Sequence, residues 1–131
     1  MIAAGVERTV DGRARAVAIV DDDQSTRKAL SRLFRVHGMV GETFSSAADL
    51  LADNQLDRWD CLVLDVRMPE TGGLELAAQL RRQGWDTPVV LISAFNDPEA
   101  RARAREVGAV AFLLKPFDQR SLFDALERLV V

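Results

Sequence analysis

The chain has 131 residues, 48% apolar and 28% charged, which suits one soluble globular domain of ordinary size. Its longest apolar runs are strand-sized, well short of the roughly 18 residues a membrane helix needs, and no basic, apolar, small-residue leader opens it. A single cysteine, Cys61, excludes an internal disulfide framework and a cysteine-based metal cluster. With 17 basic and 20 acidic side chains the formal charge is −3, a poor match to nucleic acid. Together these features give a cytoplasmic expectation, away from membrane and DNA.

Residues 1–15 show neither helical nor strand periodicity, and Asp11-Gly12 is a turn signal. They read as a flexible lead-in to a domain over residues 16–131. From there the pattern alternates. Val17-Ala18-Ile19-Val20 is an apolar run ending in Asp21-Asp22-Asp23. Ala29, Leu30, Leu33, Phe34 and His37 share one helical face, stopped by Gly38. Met39 to Phe44 reads as a strand near an edge, because Gly41 and Glu42 make it less apolar. Ser45 or Ser46 caps a helix carrying Ala47, Leu50 and Leu51. Cys61-Leu62-Val63-Leu64 ends in Asp65.

Pro69, Gly72 and Gly73 keep the chain irregular before a helix with Leu74, Ala77 and Leu80, which runs to about Gly84. Pro88 precedes Val89-Val90-Leu91-Ile92, which ends in Ser93. Asp97-Pro98 starts a helix, with Asp as cap and Pro at the first position, and Gly108 ends it. Val110 to Leu114 leads into Lys115-Pro116. Asp118 or Ser121 opens a last helix with Leu122, Ala125, Leu126 and Leu129 inward. Strands alternating with helices, three of the strands wholly apolar, predict an α/β fold with a parallel, doubly wound five-stranded sheet flanked by helices on both faces.

In such a sheet, ligands bind beyond the carboxyl ends of the strands. There the pattern places Asp21 and Asp22, Asp65, Ser93 and Lys115. Converging carboxylates repel and resist desolvation. A divalent cation with oxygen ligands relieves that, and Mg²⁺ suits a few carboxylates with waters. A carboxylate can also carry a phosphoryl group as an acyl phosphate, with metal and lysine offsetting charge on its oxygens. Other residues have plainer readings. Asp23 reads as a helix cap, His37 as a helix-end residue, Cys61 as core, and Trp59 and Trp85 as packing covers.

Ile19-Val20-Asp21-Asp22-Asp23, Leu62 to Pro69 with its Asp-x-Arg-Met-Pro form, Ile92-Ser93-Ala94 and Leu114-Lys115-Pro116-Phe117 resemble the receiver domain of two-component response regulators. The resemblance covers roughly residues 16–130 and is nearest the FixJ-like subgroup. It implies a CheY-like, flavodoxin-like (βα)5 fold with strand order 2-1-3-4-5. It implies Asp65 as phosphoacceptor from a sensor histidine kinase, with Mg²⁺ (or Mn²⁺) held by Asp22, Asp65 and the Arg67 backbone carbonyl, and Asp21 completing the acidic pocket. Lys115, Ser93 and Ala94 would meet the phosphoryl group, Phe112 would move inward with Ser93, and Pro116 would follow a cis peptide bond. The domain would not be an enzyme beyond assisting its own phosphorylation and dephosphorylation.

Phe112 stands where many members have tyrosine, so the switch would be one of packing alone. Arg67 and Phe95, two positions after Asp65 and Ser93, would restrict hydrolytic water. Arg101, Arg103 and Arg105 on the fourth helix read as a solvated basic face over an alanine stripe. The expected state is therefore a monomer, or a weak, phosphorylation-dependent dimer through the fourth helix and fifth strand. The output partner would be an effector protein or domain; the chain reads either as a stand-alone receiver, toward which Met1 leans, or as the receiver portion of a longer DNA-binding regulator. Two rival functions remain in view: a haloacid-dehalogenase-type phosphatase using Asp21 and Asp23, and a phosphate-independent interaction module.

Overall fold

The computed structural model describes residues 9–10, 13–53 and 55–127, with side chains from residue 15 onward. Five strands form one parallel sheet: β1 (Ala16–Val20), β2 (Val40–Phe44), β3 (Cys61–Asp65), β4 (Val89–Ser93) and β5 (Ala111–Leu114). Their order is β2-β1-β3-β4-β5, every pairing parallel. The intervening helices are α1 (Gln24–Val36), α2 (Ala47–Leu51), α3 (Gly73–Arg82), α4 (Pro98–Glu106) and α5 (Gln119–Glu127). The fold expected from the residues and the strand order implied by the resemblance are those observed.

Side chains alternate across the sheet because successive strand residues point to opposite faces. Val17, Ile19, Val63, Val90 and Ile92 join Leu30, Phe34, Leu122 and Leu126 in one core. Ala18, Val20, Leu62, Leu64, Val89 and Leu91 join Leu50, Leu74, Leu76, Leu80, Ala100 and Ala104 in the other. Every residue of β3 and β4 is buried, as central strands covered on both faces require. The weaker apolar pattern of Val40–Phe44 is that of a strand at the sheet edge.

Local signals set the helix ends. Asp23 caps α1 by accepting from the Ser25 N–H, Ser46 caps α2 by accepting from the Asp49 N–H, and Asp97 caps α4 ahead of Pro98. Asp118 Oδ1 accepts from the Ser121 N–H at 2.8 Å, which decides between the two candidate caps of α5. Gly38 and Gly108 follow α1 and α4 with positive φ, the conformation that stops a helix.

Some features were not expected. Thr9–Val10 and Arg13–Ala14 pair as a short antiparallel ribbon, although two-residue strands are too brief to show alternation. Arg15, assigned to the lead-in, is buried, and its carbonyl accepts from the Val40 N–H. A turn of 3₁₀ helix, Leu56–Arg58, precedes β3. Leu129 and residues 1–8 lie outside the described residues.

Candidate functional site

Each polar residue of interest sits where an apolar strand runs out at the carboxyl edge. Asp21 follows β1, Asp65 and Ser93 are the last residues of β3 and β4, and Lys115 follows β5. Parallel registry makes them converge: Val20 pairs with Leu64, Asp65 with Ile92, and Ser93 with Leu114. Carboxylate oxygens of Asp21, Asp22 and Asp65 lie within 4.8 Å of one another. Asp21 is fully buried, Asp65 is 6% exposed, and Asp22 faces solvent.

One ammonium answers this charge. Lys115 Nζ donates to Asp21 Oδ2 at 3.0 Å and stands 3.6 Å from Asp65 Oδ2. Asp21 is pinned further: its Oδ1 accepts from the Asp23 N–H at 2.9 Å, and its carbonyl accepts from Arg27 Nη1 at 2.7 Å. Asp65 Oδ1 takes only a long bond, 3.3 Å, from the Arg67 N–H. Burial, followed by the charge of Asp21, pushes the Asp65 carboxyl up to about 6, against the opposing pull of Lys115. Burial works against the Lys115 charge, yet its hydrogen bond to Asp21 and the negative charge of Asp65 leave its pKa raised. Of the two buried carboxylates Asp65 is thus the less satisfied, and it remains largely ionised above neutral pH.

Such a donor set of hard oxygens, short of positive charge, fits a small divalent cation. Asp23, which the phosphatase reading needs in the site, is instead engaged by Ser25 and Thr26 as the α1 cap. Those hydrogen bonds hold its pKa below the usual carboxylate range.

Ser93 is buried, and its hydroxyl is engaged in its own loop, donating to the Phe95 carbonyl at 2.9 Å and accepting from the Phe95 N–H at 3.1 Å. Ala94 is exposed beside it. Phe112 is half-buried under the Arg101 guanidinium, 4.7 Å from the ring centroid. Arg101 also donates to Asn96 Oδ1 at 2.7 Å, and Arg103 pairs with Glu75 at 3.0 Å. The fourth-helix arginines are therefore partly engaged, not uniformly solvated; the alanine stripe, Ala100 and Ala104, is buried as expected. Arg67 lies over Phe95, 4.7 Å from its centroid, so this pair joins the loops after β3 and β4. The Lys115–Pro116 peptide bond is cis.

Two supports were not read from the sequence as such. A Cβ at Gly73 would stand 2.5 Å from the Asp65 carbonyl oxygen, and one at Gly72 2.2 Å from that of Val66. Both glycines are needed because the start of α3 presses against the backbone that presents Asp65. The adjacent Gly-Gly pair was the available signal, and it reads equally well as a turn.

This is a doubly wound α/β domain with an acidic site and one lysine at the carboxyl edge of its sheet. The model of the response regulator receiver domain matches residues 17–127, and the chain belongs to that family. It is a signalling domain of two-component systems. Over 119 residues it is 40% identical to the response regulator protein TodT of Pseudomonas putida, covering 91% of this chain and 52% of the relative. It is 40% identical over 110 residues to nodulation protein W of Bradyrhizobium diazoefficiens, covering 84% and 48%. The chain thus spans about half the length of these curated relatives. Among solved structures, FixJ-N superimposes with a TM-score of 0.79 at 31% identity, covering 89% of this chain and 94% of that one. The Vibrio cholerae chemotaxis protein CheY4 gives 0.80 at 32%, covering 88% and 98%. No helix among the described residues is long and apolar enough to cross a membrane.

Proposed function

We propose that the domain accepts a phosphoryl group on Asp65 from the phosphohistidine of a sensor kinase. An Asp65 carboxylate oxygen forms a bond to phosphorus as the P–N bond breaks, and the electron pair returns to the imidazole, which takes up a proton. The observation that carries this is the unequal treatment of the buried acids: Asp21 is fixed by Lys115 and two backbone contacts, whereas Asp65 keeps a weakly held oxygen. Asp22, Asp65 and the Arg67 carbonyl would hold Mg²⁺, or Mn²⁺ in its place, with Asp21 acting on it through water. That ion would neutralise charge on the transferring oxygens. Lys115 is 25% exposed and within reach of Asp65, so it can turn from Asp21 to the new phosphoryl oxygens.

The readout follows from two engaged side chains. A phosphoryl group would draw the Ser93 hydroxyl and the Ala94 N–H from their loop, and Phe112 would move inward, leaving Arg101. That would reshape the α4–β5–α5 surface, biasing one of two arrangements. The exposed face would then contact an effector protein or output domain. Relatives named as transcriptional regulators, such as TdiR of Thauera aromatica, favour control of transcription through such a domain. Any dimer through α4 and β5 would be weak and phosphorylation-dependent, since Arg105 remains exposed there. The setting would be cytoplasmic.

Incubation with acetyl phosphate and Mg²⁺, followed by borohydride trapping and peptide mass mapping, tests the assignment. Modification at Asp65 is expected. Modification at Asp21 would revive the phosphatase reading, and none at any aspartate would make the domain a phosphate-independent module.

A further inference from the structure

The chain carries an excess of acidic side chains, yet α1 has Arg27, Lys28, Arg32 and Arg35 and no aspartate or glutamate within it. Gln24, Arg27, Lys28, Ser31, Arg32 and Arg35 recur at helical spacing and form one continuous stripe beside buried Leu30 and Phe34. Lys28, Arg32 and Arg35 are exposed, and among the described residues none of them has an ion-pair partner. Like charges three and four residues apart destabilise a helix. Apart from Arg27, which holds the Asp21 carbonyl, the fold therefore retains an uncompensated face that neither its core nor its acidic site uses.

The stripe is also concave. With Thr43 of β2 it lines a groove of about 310 Å³. Its floor is steadied by Ser31, whose hydroxyl donates to the Gly41 carbonyl at 3.0 Å. β2 is an edge strand of the sheet, with no further strand beyond it among the described residues.

We propose that this groove docks an acidic segment of a partner protein, its carboxylates repeating about once per helical turn to meet Lys28, Arg32 and Arg35. Charge selects that occupant. A nucleic-acid strand extending along the stripe would run into exposed Asp22 and Asp23 at the amino end of α1, on a chain of net charge −3. A short acidic segment ends before them. The surface is separate from the α4–β5 face, so one domain can engage this partner whatever the state of Asp65.

Fluorescence anisotropy on the whole chain tests it, using a labelled helical peptide with glutamates at every third or fourth position. Saturable binding is expected that weakens from about 50 mM to about 300 mM salt, as screened charges require. The variant Arg32→Glu/Arg35→Glu should bind at least about tenfold more weakly, while keeping the wild-type melting profile and acetyl-phosphate labelling. Absence of saturable binding, or equal binding by the variant, would overturn the proposal. So would tighter binding of a labelled oligothymidylate of equal charge. Sedimentation showing that the reversed charges abolish a self-associated form would instead assign the face to a second copy, and would also overturn it.

Discussion

The two ends of the sheet both hold a long cation, and they use it oppositely. At the amino end Arg81 donates to three neutral carbonyls, those of Val107, Trp85 and Thr87, at 2.8 to 3.1 Å. It closes the ends of α3 and α4 onto the strand that follows. At the carboxyl end Lys115 stands between two buried carboxylates that repel each other, with a third at their side. One charge is spent on unpaired backbone acceptors and stabilises the fold; the other only moderates a conflict that the site keeps for its chemistry. Sequence makes the contrast visible in part, since Lys115 follows an apolar strand while Arg81 is one of several arginines near a helix end.

The sharpest break in the comparison should come from the backbone beneath the site. Gly73→Ala places a Cβ 2.5 Å from the Asp65 carbonyl oxygen, so we expect a loss of about 3 kcal/mol in urea unfolding, with slower Asp65 labelling. Arg81→Met comes next. Leaving three carbonyls without their donor should cost about 2–3 kcal/mol, while labelling of the folded fraction proceeds at the wild-type rate. Equal damage to labelling would mean that the two ends are not separable.

Smaller effects refine the same distinction. Mg²⁺ at about ten times its dissociation constant should stabilise the protein by about 1.4 kcal/mol at pH 7.5. Because Asp65 must be ionised to hold the ion, that gain should fade as pH drops through about 6, as calorimetry at both pH values would show. Glu70 has a φ of 68° in the loop after β3, a conformation that costs a side chain more than a glycine. Glu70→Gly should therefore change stability by no more than about 1 kcal/mol in the stabilising direction, with labelling unaffected. Thermal melts would resolve it.

The fold was legible because its signals are local and repeated. Strand-length apolar runs end in polar residues, and caps such as Asp23, Ser46 and Asp97 mark where helices begin. Convergence of Asp21, Asp65 and Lys115 was legible too, because a parallel sheet leaves all strand ends on one rim. Contacts that depend on a side chain's reach across loops were not. Arg101 over Phe112 and Arg81 on three carbonyls join residues 4 to 26 positions apart without any periodic pattern to announce them. The antiparallel ribbon before β1 was hidden for the opposite reason: its strands are too short to alternate.

Asp65→Asn melts measured across pH without metal probe the strain at the carboxyl edge most directly. The native carboxyl is raised to about 6 from an ordinary 3.8, so folding favours its protonated form. The stability this gives is complete below about pH 4 and is lost as pH rises through about 6. Asparagine cannot ionise, so the variant should exceed the wild type by about 2–3 kcal/mol near pH 7.5, with the advantage vanishing near pH 4. A variant less stable than the wild type at pH 7.5, or a difference independent of pH, would contradict the account.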